Sequence, residues 1–196
     1  QLKKKVRTLS GGQMGVAGFI ENMGPSDVIA KVAADVHRVA QSDYSVIVIG
    51  ETGSGKELVA RAIHGDSARR QGSFTAIDCG AIPESLVESE LFGYEKGAFT
   101  GAHGRKLGKF ETASGGTLLM DEIANLPLDS QARLLRVIQD RLLTRLGATK
   151  TVKVDLRLIA ATNSDLQERV AAGTFRGDLY YRLNEFTIRL PPLRQR

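Results

Sequence analysis

The sequence predicts an α/β fold built on a mainly parallel five-stranded sheet. Three observations predict it. Short apolar runs rich in β-branched residues alternate with stretches of helical period. A glycine-rich turn, Gly50-Glu51-Thr52-Gly53-Ser54-Gly55-Lys56, lies between one such run and the next helix. The 196 residues, 42% hydrophobic and 25% charged, suffice for one full core.

Residues 1–24 read as a linker and lead-in, basic at Lys3, Lys4, Lys5 and Arg7 and punctuated by glycine. Residues 25–196 read as the domain. Ser26 or Asp27 caps a helix whose Ile29, Val32, Val36 and Val39 share one face. Residues 46–49 are a buried strand and 57–64 a helix. Residues 74–79 are the second strand and 85–92 a short helix. Residues 93–108 hold five glycines and two aromatics, an irregular insertion. Residues 117–120 are the third strand, ending in Asp121-Glu122. Pro127 suits the first turn of a helix expected to reach about Leu143, with Leu134, Leu135, Ile138 and Leu142 inward. Residues 156–161 are the fourth strand, 166–172 and 178–183 are helices, and 186–190 are the fifth strand. Pro191-Pro192 stops it.

Composition narrows the function classes. No apolar run approaches the roughly 18 residues of a membrane-spanning helix. Cys79 is the only cysteine, which excludes intrachain disulfides and cysteine zinc sites and fits a reducing cytoplasm. The net charge of +5 is mild, and the aromatics are not interleaved with Arg or Lys as in a nucleic-acid stacking platform. The lysine run reads as solvated linker. His37, His64 and His103 have no metal-ligand spacing and read as surface or packing residues.

Residues 50–56 fit G-x-x-x-x-G-K. Glycines let successive backbone N–H groups turn inward around phosphate oxygens, and the next helix adds its positive end. Lys56 would reach the β- and γ-phosphates. Glu57 stands where such loops usually place the Ser or Thr that binds Mg²⁺, so the metal needs another carboxylate. Asp121 supplies it at the end of a buried strand, and Glu122 can take a proton from an attacking water. The bland alternative is a solvated pair capping the next element. Thr162-Asn163 ends the fourth strand. Asn163 senses a γ-phosphate, orients water or forms a turn. Arg176 and Arg182 either neutralise charge on a transferring phosphoryl or make surface salt bridges.

Gly97-Ala98-Phe99-Thr100-Gly101-Ala102 is identical to the G-A-F-T-G-A motif of bacterial sigma-54-dependent transcriptional activators, the enhancer-binding proteins that include NtrC-type response regulators. Glu88-Ser89-Glu90-Leu91-Phe92-Gly93 and the Lys56-Glu57 ending also look familial, and the similarity runs from about residue 24 to 196. This resemblance implies an AAA+ P-loop ATPase core using ATP and Mg²⁺. It implies that Gly50 to Glu57 bind ATP, with Asp121 the metal-binding acid and Glu122 the water-activating one. Thr162 and Asn163 would be the first sensor. Arg176 and Arg182 would be arginine fingers reaching a neighbouring subunit in a ring, a hexamer when active. Gly97 to Ala102 would form a mobile loop tipped by Phe99 and Thr100 that touches sigma-54 RNA polymerase and remodels its closed promoter complexes. Read without the family, Phe99 is a loop anchor on its own domain.

Two departures stand out. Many members carry Asn where this chain has Asp78, and that Asn is implied to hold the catalytic Glu; two close carboxylates repel instead. The family's helical lid and DNA-binding domain are expected to be missing, so promoter and enhancer DNA would be engaged only through them. The leader resembles a linker from a regulatory domain. The rival expectation is a nucleotide-dependent interaction module with little turnover.

Overall fold

Parallel pairing requires each strand to return to the same edge, and the intervening helices make that return. A computed structural model describes residues 15–24 and 26–195. Its sheet strands are β1 (Val46–Ile49), β2 (Phe74–Asp78), β3 (Thr117–Asp121), β4 (Arg157–Thr162) and β5 (Phe186–Arg189). All pair in parallel, in the order β2-β3-β4-β1-β5. The register sets Ile49 opposite Thr162 and Asp78 opposite Asp121. The segments after β1, β4 and β3 therefore emerge side by side at one edge, with neighbouring strands about 4.8 Å apart.

The helices are α1 (Val16–Met23), α2 (Asp27–Ala40), α3 (Lys56–Gly65), α4 (Glu84–Phe92), α5 (Lys109–Thr112), α6 (Leu128–Asp140), α7 (Leu166–Ala171) and α8 (Gly177–Leu183). Alternation along each strand divides the core in two. Val46, Val48, Ile159 and Ala161 face α1, α2 and α3. Ile47, Leu118, Met120, Leu158 and Ala160 face α4, α6 and α8. The Ser26 hydroxyl caps α2, accepting the Ile29 N–H at 3.2 Å. β4 is buried along its whole length, as a central parallel strand must be.

Three expectations change. Residues 16–23, assigned to the lead-in, form α1, with Phe19 wholly buried and the Val16 N–H on Asp66 Oδ2 at 3.1 Å. Val16, Phe19, Ile20 and Met23 have helical spacing, and the flanking glycines bound the helix rather than dissolve it. Residues 1–14, including the lysine run, lie outside the described residues. α6 stops at Asp140, not near Leu143, because Arg141 turns left-handed at φ 56°. Its Nη1 donates to Leu156 O at 2.5 Å. Leu142 then points outward and Leu143 inward, in a hairpin of Leu142–Thr144 with Thr151–Lys153. Finally, the insertion is an antiparallel hairpin rooted by Gly93–Tyr94 and Lys106–Leu107. Its root strands touch so closely that a Cβ on Gly93 would lie 2.5 Å from Lys106 O.

Candidate nucleotide site and exposed loop

The phosphate loop takes its shape from glycine. Gly53 and Gly55 have φ of 77° and 87°, a region that other residues rarely enter. Gly55 caps α3, so Lys56 is the first helical residue. Nothing lies within 4 Å of where a Gly53 Cβ would be, so the crest of the loop has room for a ligand. Lys56 is buried, at 6% exposure. Its Nζ donates to Gly50 O at 3.2 Å and to Glu122 Oε1 at 3.1 Å. Glu57 turns the other way and accepts from Arg61 Nε at 2.8 Å on the outer face of α3. The Glu51 carboxylate pairs with Arg194 at 3.1 Å.

Glu122 occupies the left-handed region, with φ 49° and ψ 47°. For a residue with a long side chain this costs about 1 kcal/mol or more, and such strain gathers at functional sites. Its other oxygen, Oε2, accepts the Asn163 N–H at 3.3 Å. The Asn163 side-chain amide in turn donates to Thr52 Oγ1 at 3.2 Å. Strand order explains this meeting: β4 lies between β1 and β3, so Asn163 stands between the loop and the acid pair. Thr162 is different. Its buried hydroxyl accepts the Ser164 N–H at 3.0 Å, so the side chain shapes the turn.

Asp121 Oδ1 accepts the Glu122 N–H at 2.9 Å. Burial pushes the Asp121 carboxyl above its ordinary range. The Glu122 N–H and Lys56 oppose that rise, while the charges of Glu122 and Asp78 add to it. Burial, aided by Asp78, Asp121 and Glu122, also pushes the Cys79 thiol up to about 12, leaving it inert. Asp78 Oδ1 accepts the Gly80 N–H at 2.8 Å, a turn-forming bond, and makes no hydrogen bond to Glu122 among the described residues. Also among them, no group of three or more His, Cys, Asp or Glu converges as a ready metal site.

Among the described residues neither Arg176 nor Arg182 hydrogen-bonds to Lys56 or Glu122. Arg176 forks onto Asp178 at 3.0 and 2.7 Å, and its N–H donates to Gln131 Oε1 at 2.8 Å. Arg182 lines a cavity of about 220 Å³ with Asp43, Ser45, Arg141 and Glu185, at the opposite edge of the sheet from the phosphate loop.

The first hairpin ends in a tight tip: the Gly97 N–H donates to Ala102 O at 2.9 Å and the Ala102 N–H to Phe99 O at 3.0 Å. Phe99 is 45% exposed and meets Tyr94 edge-on, with ring centres 5.0 Å apart. It is a displayed side chain resting on a neighbour in its own hairpin, not a core anchor. The second hairpin braces the first. The Leu146 N–H donates to Gly93 O at 2.9 Å and the Glu95 N–H to Leu146 O at 3.0 Å. Arg145 spans Glu95 at 2.6 Å and Glu111 at 2.5 Å, and its own exposure is 10%. Sequence reading missed this brace. Its strands are three residues long, and the partners of Arg145 are 34 and 50 positions away.

The chain is 58% identical over 163 residues to the sigma54-dependent transcriptional activator SfnR of Pseudomonas putida, covering 83% of this chain and 44% of that protein. It is 55% identical over 171 residues to the regulatory protein AtoC of Escherichia coli, covering 87% and 37%. The chain thus spans less than half the length of these relatives. Its fold superposes on a crystal structure of NtrX from Brucella abortus in complex with ATP, with a TM-score of 0.81 and 37% identity, over 97% of this chain and 39% of that one. The sigma-54 interaction domain model matches residues 22–189, so the chain belongs to that family of P-loop AAA+ domains.

Proposed function

We propose that this chain hydrolyses ATP and couples the hydrolysis to remodelling of sigma-54 RNA polymerase at closed promoter complexes. The observation that carries this reading is the convergence of Lys56, Glu122 and Asn163 at one sheet edge, beside a glycine loop with open space at its crest. The triphosphate would compete with Glu122 for Lys56. Once the ammonium engages the β- and γ-phosphates, Glu122 is free to orient water. Water attacks the γ-phosphorus, its proton passes to Glu122, and the bond to the β–γ bridging oxygen breaks to leave ADP and phosphate. Asn163 links the acid to Thr52, and so makes Glu122 responsive to what the loop holds. Asp121 would hold a Mg²⁺ together with phosphate and water, and the metal would neutralise charge on the phosphates.

Arg176 and Arg182 would complete a neighbour's site, which accords with Arg182 lying at the end of the sheet where the strands begin, away from the phosphate loop. The active state would then be a ring, as in a hexamer. Phe99, apolar and displayed between glycines, would be the knob that docks on sigma-54. Promoter and enhancer DNA would be engaged by segments outside this chain. Among the described residues no helix is long and apolar enough to cross a membrane, and the cytoplasm is the proposed location.

Two variants test the reading together. Glu122→Gln should retain ATP while turnover falls at least about 100-fold. Phe99→Ala should keep ATPase activity yet lose sigma-54 in a pull-down with an ATP analogue. Turnover near the parent rate in the first, or full sigma-54 capture in the second, rejects the corresponding role.

A further inference from the structure

A carboxylate is an unexpected side chain in a loop that is to hold a polyanion. Glu51 is the second residue of the phosphate loop, and the structure accounts for its charge. Its two oxygens face the Arg194 guanidinium, Oε1 at 3.1 Å from Nη2 and Oε2 at 3.2 Å from Nη1, across 143 positions of sequence. This two-point fork is the geometry that distinguishes arginine from lysine. The path that brings Arg194 there is stiff. The Leu190 N–H donates to Ile49 O at 2.8 Å, and the Leu190 Cβ lies 3.0 Å from where a Gly50 Cβ would be. Pro191-Pro192 then fixes two φ angles, and Arg194 sits on the short 3₁₀ turn Leu193–Gln195.

We propose that Arg194 is a positioning residue for the nucleotide: by engaging Glu51 it keeps that carboxylate turned from the triphosphate and cancels its charge. The inference rests on the ATPase reading above. The pair is exposed, 69% for Arg194 and 56% for Glu51, so it adds little to folding. Its effect falls on ligand charge instead. Without Arg194, the Glu51 carboxylate repels phosphate, and ATP suffers more than ADP because it carries the extra phosphoryl charge.

The test is equilibrium binding of fluorescent ATP and ADP analogues to the full chain at low salt. Arg194→Gln should weaken ATP about 5-fold and ADP about 2-fold. Glu51→Gln alone should tighten ATP about 2-fold, because the loop loses a negative charge while Arg194 keeps its positive one. The double variant should return to within about 2-fold of the parent, because neither charge is then left bare. Unchanged affinity in Arg194→Gln overturns the proposal, as does an equal loss for both nucleotides. A double variant as weak as Arg194→Gln overturns it too, since Arg194 would then act on the nucleotide or the fold directly. A parent chain that binds neither analogue rejects the ATPase reading itself, a result distinct from these.

Discussion

The two edges of the central sheet hold their charges in opposite ways. At the edge where the strands begin, Arg69 grips both Asp43, at 2.7 Å, and Asp155, at 2.9 Å. Arg157, wholly buried, donates to the carbonyls of Val39 at 2.7 Å and Tyr44 at 3.2 Å. Burial lowers Arg157 to about 10, so it is still charged at neutral pH. At the edge where the strands end, Lys56 pairs with Glu122, whose backbone is strained. Asp121 there is pushed toward its neutral form. One edge closes loops with Arg69 matched to two carboxylates and Arg157 held by backbone carbonyls. The other keeps charges that an incoming anion and cation can rearrange. That difference separates a structural ion pair from a site, although both consist of the same residue types.

The largest test removes the central charge of the open edge. Lys56→Ala should lower ATP affinity at least about 100-fold in a fluorescence titration, because the triphosphate loses the ammonium that reaches its β- and γ-phosphates. Arg69→Ala should do the reverse: nucleotide affinity holds, while urea unfolding shows a loss of about 2 kcal/mol from two unpaired carboxylates, both of which keep access to water. Loss of nucleotide binding in Arg69→Ala would break the contrast.

Two aspartates sharpen it through opposite signs. The Arg69 hydrogen bond holds Asp155 below its ordinary range, so its contribution is present above the unfolded value and lost as pH falls through the folded one. Asp155→Asn at pH 7 should therefore lower the melting temperature. Asp121 is raised, so any contribution it makes is present at low pH and lost as pH rises through its folded value. Asp121→Asn at pH 7 should raise the melting temperature. Each change should be below about 1 kcal/mol.

The smallest effect concerns His64, which is buried with Nδ1 2.9 Å from Thr117 Oγ1. Burial first, then Arg157 and Arg61, lower its pKa, so the fold holds it neutral. Its contribution is whole above the unfolded value of about 6.5 and is lost as pH drops below it. Urea midpoints at pH 7.5 and 5.5 should show this slope in the parent and a shallower one in His64→Gln.

Much of the core was legible because its signals are local. The Ser26 cap, the spacing of Ile29, Val32 and Val36, and the apolar run of β1 each involve neighbours within one or two turns. The glycine loop and the Phe99 hexapeptide were legible for the same reason. Leu142 was misplaced by a local cause as well: one left-handed residue, Arg141, shifts the phase of everything after it. The brace at Arg145 and the partner of Glu51 were not legible, because charge attracts at a distance that sequence separation does not report.

By itself, the sequence marked the residues proposed to bind phosphate, activate water and display an aromatic knob, since backbone dihedrals and side-chain chemistry travel with short motifs. Only the tertiary structure decided which of them meet. It placed β4 between β1 and β3, so that Asn163 bridges loop and acid, set Glu122 in a strained turn facing Lys56, and turned Glu51 toward Arg194. Those outcomes depend on strand order and long-range packing, where contacts between residues far apart in the chain are chosen by the whole core at once.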